Sequence, residues 1–187
     1  MNRGLARRSI FESKADVRKF LSLLTCAVRA GRVELHAFVF MLTHFHLLIR
    51  SVDGRISETM RLIQNGYVRC FNRARRRDGP LMRGRFLSFP VTTDVYARTA
   101  FRYIDQTPVD ARIVARPHEY PYSSARFHRL ERSPRKGLSG ALVDGMIARH
   151  FTAETPRDVA YDALFAPRLR PEQIAWVESR LMGPARK

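Results

Sequence analysis

Residues 33–51, VELHAFVFMLTHFHLLIRS, hold the reading on which the fold turns. Two β-prone runs stand here with almost nothing between them, VELHAFVFML and HFHLLIRS, and that spacing predicts a tight antiparallel hairpin. Side chains on a strand alternate between faces, so His44 and His46 project together while Phe45 and Leu47 take the other side. Two imidazoles side by side can share one metal ion. On a solvent-facing sheet the same pair is ordinary surface chemistry, so His-x-His alone is weak evidence. His36 alternates with the core residues of its own strand and reads as structural or surface.

Outward from the hairpin, ESKADVRKFLSLLTCAVRAG offers Ser13 as a cap, Val17, Phe20, Leu21, Leu24 and Val28 as one apolar stripe, and Gly31 as a stop. That pattern predicts a helix. From Ile56 to about Arg76, Met60, Ile63, Tyr67, Cys70 and Phe71 recur at helical spacing among crowded arginines, predicting a half-buried cationic helix. Asp78-Gly79-Pro80 breaks it, LMRGRFLSFPV reads as a strand, and Thr92 or Thr93 caps a further helix, DVYARTAFRYIDQ, which Pro108 is expected to end.

The order helix, strand, strand, helix, strand, helix needs one leading strand to make a ferredoxin-like split βαβ arrangement. Residues 1–9 offer only Met1, Leu5 and Ala6 as apolar candidates beside Arg3, Arg7 and Arg8, so that first strand is expected to be truncated. The expected fold class is α+β, an antiparallel sheet with helices on one or both faces, over residues 1–130. In residues 131–187, ERSPRKGLSG reads as a linker, and ALVDGMIARHF, PRDVAYDALFA and RPEQIAWVESRLMG as a small helical extension.

The 187 residues carry a formal charge of +17, and all but Lys14, Lys19, Lys136 and Lys187 of the 34 basic residues are arginine. Guanidinium forks bind phosphate bidentately and stack on bases, so the expected partner is nucleic acid. The sequence has no signal-peptide core, no membrane-length apolar stretch and no basic amphipathic helix at either end, so no membrane partner is expected. With only Cys26 and Cys70, neither a disulfide framework nor a cysteine zinc site is indicated, and a reducing cytoplasm is the expected setting.

Several spaced motifs then fall in one order: MLTHFHLL, close to MPNHFHLL; RGLARRSIF with RKFLSLL; YVRCFNRARRRDGPLMRGRF; and RYIDQTPVDARIVARPHEYPYSS. Together, over about residues 2–128, they resemble the REP-associated tyrosine transposases, a branch of the single-tyrosine HUH transposases related to insertion-sequence transposases. The resemblance implies the HUH endonuclease fold and a divalent cation, Mg or Mn, held by His44 and His46. It implies Tyr103 as the nucleophile that attacks a single-stranded DNA phosphate, leaving a 5′-phosphotyrosyl link and a free 3′-hydroxyl.

The family's amide ligand four residues after the tyrosine is here Thr107, with Gln106 one residue early as a substitute and Asp105 ranked below it. The family's Pro-Asn before the first histidine is Leu42-Thr43. Arg69, Arg73, Arg75, Arg76, Arg77, Arg83 and Arg85 form the densest basic run and are the candidate phosphate contacts. The implied partner is a single-stranded or hairpin DNA from repetitive palindromic elements, in the nucleoid, with a second copy of the chain as a further candidate partner. The alternative readings are a catalytically degenerate or domesticated DNA-hairpin binding protein and a general RNA-binding module.

Overall fold

In the computed structural model, which describes residues 1–130, 138–139 and 141–182, the histidine stretch folds back on itself as expected. Strands β2 (Val33–Met41) and β3 (His44–Ser51) pair antiparallel from Val33↔Ser51 to Met41↔His44, with one irregularity between Leu35 and Ala37. Leu42 and Thr43 make the turn. A short strand β1 (Asn2–Arg3) joins the free edge of β3 with Arg3 opposite His44, giving the antiparallel order β1-β3-β2.

Apolar alternation does not hold β1. The buried Asn2 side chain donates to the amide oxygen of Gln64 and, at 3.0 Å, to the Gly84 carbonyl, while the Gly4 N–H donates to Thr43 at 2.8 Å. A β-carbon at Gly4 would stand 2.1 Å from the Arg8 carbonyl oxygen, so the chain can turn away from β1 only with glycine there.

Each face of the sheet buries a different cluster. Phe38, Phe40 and Phe45 face α1 (Lys14–Arg29) and α2 (Ile56–Ala74), packing with Phe20, Leu24, Ile63, Tyr67 and Phe71. Ser13 begins α1 through a reciprocal capping box with Asp16. On the opposite face Ala37, Val39, Met41 and Leu48 meet α3 (Asp94–Asp110), whose Thr93 cap accepts from the Tyr96 N–H at 3.1 Å.

Two expected boundaries differ. Residues 81–91 form no strand; the segment runs beside β1 with a single bridge, Gly4↔Met82, and an Arg83 N–H to Arg3 carbonyl bond of 2.9 Å. Leu81 and Met82 are both buried while Arg83, Gly84 and Arg85 are all exposed, so the segment lacks the alternation a sheet edge needs. Pro108 does not end α3. It lies in the last turn, and the helix closes where the Ala111 N–H reaches the Thr107 carbonyl at 3.0 Å.

Four further helices, α4 (Ala125–Leu130), α5 (Ala141–Ala148), α6 (Arg157–Ala163) and α7 (Pro171–Met182), surround α3, sharing its core through Val143, Met146, Tyr161, Leu169 and Val177. The linker expected at 131–140 lies outside the described residues except for Leu138 and Ser139, which run beside Leu35. At the centre is Asp105, fully buried, accepting from Ser124 Oγ at 3.0 Å and Tyr161 OH at 2.7 Å, with His128 Nδ1 at 3.4 Å. A buried carboxylate is tolerated where such donors surround it. Among the described residues no helix is long and apolar enough to cross a membrane.

Candidate functional site

The strand register puts His44 and His46 on the α3 side of the sheet, opposite Met41 and Val39. Their ring centroids are 5.1 Å apart, and the His46 ring lies 5.5 Å from that of Tyr103, edge to face. His46 is 3% exposed and His44 half-buried. Burial lowers both pKa values, that of His46 well below the ordinary histidine range with the neighbouring His44 adding to the effect, so both rings are neutral at neutral pH.

Neutral imidazoles carry the lone pairs a cation needs. His46 Nδ1 is buried with no hydrogen-bond partner among the described residues, and His44 Nδ1 lies 3.2 Å from Thr43 Oγ1. An orphaned buried nitrogen is an atom that an additional group is expected to satisfy, and a divalent cation fits that requirement.

Both histidines and Tyr103 line a cavity of about 460 Å³ together with Arg3, Arg7, Thr107, Asp110 and Glu178. Thr107 is one turn beyond Tyr103 on the same face of α3, and its hydroxyl donates to the Tyr103 carbonyl at 2.8 Å. The Glu178 carboxylate, from α7, lines the same cavity as the Tyr103 phenol. Burial first, then the charges of Glu178 and Asp110, push the phenol pKa up, so Tyr103 is protonated in this arrangement.

The cavity gathers Tyr103, His44, His46 and Thr107 but not Gln106, which is absent from its described lining. Asp105 points into the core. Among the described residues no three His, Cys, Asp or Glu side chains converge to hold a metal ion, so the available donors are the two imidazoles, the Thr107 hydroxyl and solvent.

The arginine run divides. Arg75 is committed to the fold: it bonds to Glu12 at 2.7 Å and Asp16 at 2.6 Å and lies 3.7 Å over the Phe71 ring, tying the end of α2 to the start of α1. Arg69, Arg73, Arg76 and Arg77 are exposed at the end of the helix that packs on the sheet face away from the histidines. Arg83 and Arg85 are exposed beside β1. The guanidiniums that line the cavity itself are Arg3 and Arg7, which the sequence reading counted only as obstacles to a first strand. Asp110 and Glu178 were also missed; Glu178 had no local signal at all, because only the packing of α7 on α3 brings it there.

No family model matches the chain, and no curated protein matches it. Among solved structures it is similar to a REP-associated tyrosine transposase bound to a REP hairpin, with a TM-score of 0.59 and 17% sequence identity, over 74% of this chain and 81% of that one. The chain therefore has the fold of that transposase, which in this chain is a small antiparallel sheet with helices on both faces.

Proposed function

We propose that this protein is a metal-dependent tyrosine nuclease of the transposase kind, which nicks and rejoins single-stranded DNA beside a hairpin. The observation that carries the proposal is the meeting of two neutral imidazoles, a tyrosine phenol and two arginines in one cavity, on elements far apart in sequence. The fold likeness to a transposase bound to a hairpin supports hairpin DNA, drawn from repetitive palindromic elements in the nucleoid, as the substrate class. The strand order and the Gly4–Met82 bridge support a ferredoxin-like sheet of the HUH type whose fourth strand is reduced to one contact.

His44 and His46, with Thr107, would hold a divalent cation, Mg or Mn. When bound, that cation supplies Lewis-acid polarisation of the scissile phosphate and favours the phenolate. Arg3 and Arg7 bring guanidinium charge to the phosphate oxygens and orient the strand across the cavity. The Tyr103 oxygen bonds to phosphorus as the bond from phosphorus to the 3′ oxygen breaks; the phenol's proton ends on that oxygen. The protein then carries a 5′-phosphotyrosyl link, and a 3′-hydroxyl is free to reverse the step or join a new end without an external energy source.

A second reading has its own support: the Thr107 hydroxyl is turned to a main-chain carbonyl, and among the described residues lining the cavity there is no amide side chain beside the histidines. In that reading the protein binds DNA hairpins without cutting them. The test is incubation with Mn and labelled single-stranded hairpins, read on a denaturing gel. A covalent protein–DNA band that disappears in Tyr103→Phe and His44→Ala supports the nuclease. Tight hairpin binding with no band in the wild type supports the binder, and equal affinity for duplex, RNA and hairpin DNA overturns both in favour of a general RNA-binding module.

A further inference from the structure

Tyr96 precedes Tyr103 by seven residues of α3, so the two lie on the same face of that helix, two turns and about 10 Å apart. Helix α7 crosses this face with Val177 buried, leaving Ile174 and Glu178 on the Tyr103 side and Trp176 and Arg180 on the Tyr96 side. There a second cavity opens, about 550 Å³, a size that accommodates a nucleotide. Tyr96 supports Trp176 edge to face at 4.5 Å, and the Arg180 guanidinium lies 4.8 Å from the Trp176 ring centroid. Packed against Tyr96 and Arg180, Trp176 is still 39% exposed.

We propose that Trp176 and Arg180 form a stacking platform for one nucleobase of single-stranded DNA, in the strand that continues from the cutting site. The inference rests on the proposed function. A tryptophan ring with a guanidinium lying over it offers π and cationic planes on which bases of any sequence stack, and contact with the buried Tyr96 holds the exposed ring in place. Polar groups suit the rest of a nucleotide: the hydroxyls of Thr92 and Thr99 line the cavity, and Glu172, the one acid among its described lining residues, can accept from a base's exocyclic amine. Asp94, at the adjacent start of α3, would repel a phosphate, but Arg149 engages it at 2.8 Å. The overall charge of +17 draws the strand to the surface without specifying the base.

Trp176 is the only tryptophan in the chain, so intrinsic emission reports this cavity alone. The experiment titrates the full chain with hairpins that carry or lack a single-stranded flank, following tryptophan emission and, in parallel, the anisotropy of dye-labelled hairpins. The flanked hairpin is expected to quench emission saturably over the range in which its anisotropy rises, and the blunt hairpin to bind without quenching. Arg180→Ala, an exposed change, is expected to weaken the flanked hairpin about tenfold more than the blunt one. Unchanged emission while the flanked hairpin binds, or equal quenching by the blunt hairpin, overturns the platform and leaves the proposed function standing. Failure of either hairpin to raise anisotropy overturns both.

Discussion

The two faces of the sheet are built on different principles. On the α1–α2 face, Phe11, Phe20, Phe40, Phe45 and Tyr67 pack ring against ring at centroid distances between 4.7 and 5.5 Å, and the charged groups stay at the margin, where Arg75 clasps Glu12 and Asp16. The α3 face buries His46, Tyr103, Asp105 and His128 within or beside its apolar cluster. The first face needs little beyond shape and volume. The second depends on partners supplied from far along the chain, as at Asp105, and His46 Nδ1, which has no hydrogen-bond partner among the described residues, belongs to a ring that lines the cavity.

Substitutions can test that contrast. The largest effect is expected from Tyr103→Phe, which abolishes the covalent DNA adduct on a denaturing gel while shifting stability by no more than about 1 kcal/mol, the worth of one hydroxyl hydrogen bond. On the aromatic face, Phe20→Ala is expected to cost about 4 kcal/mol in a urea titration by leaving a cavity among four rings, with adduct yield per folded molecule unchanged.

Asp105→Ala should cost about 3 kcal/mol, because Ser124, Tyr161 and His128 lose their shared acceptor inside the core. Unlike Phe20→Ala, it should also reduce adduct yield, since it loosens the helix that carries Tyr103. The corresponding change at the margin of the other face, Asp16→Ala, removes the capping-box partner of Ser13 and a part-buried ion pair with Arg75 and should cost about 2 kcal/mol with no effect on the adduct.

The smallest effect concerns pH. The folded pKa of His46 lies below the ordinary value of 6.5, so protons bind the unfolded chain more readily than the folded one. Stability is then fully present above pH 6.5 and declines as the pH falls below it. Melting temperatures measured across that range should drop in the wild type and drop less in His46→Gln. An equal slope in both would show that burial of this ring is not what the pH senses.

The legible parts of the molecule are those whose cause is local. A period of two put His44 and His46 on one face, and Ser13 with the stripe through Val17, Phe20 and Leu24 announced α1. Strand β1 was illegible as a full partner because side-chain amides, Asn2 to Gln64, hold it in place of apolar alternation. The segment 81–91 has strand-like composition but buries two neighbours in succession, which a pleated edge does not do. Pro108 looked like a terminator, yet in a final turn the single missing N–H is easily spared. Arg75 was indistinguishable by sequence from its neighbours until Asp16 came into view across two helices. Glu178 and Trp176, which wall the two cavities, depend entirely on the docking of α7.

The bonds to Asp105 also bear on the order in which the molecule is completed. A chain emerging from the ribosome can close its aromatic face once α2 and the two residues Leu81 and Met82 beyond it have been made, because every residue of that cluster except its fringe precedes residue 83. The helix bearing Tyr103 is synthesised next, but one donor to its buried carboxylate, Tyr161, arrives more than fifty residues later. During that interval the hairpin with its histidines already exists while the tyrosine helix is unsecured. The cavity that joins the histidine pair to Tyr103 is therefore among the last parts of the protein to mature, and a message cut short before Tyr161 would leave Asp105 without one of its donors.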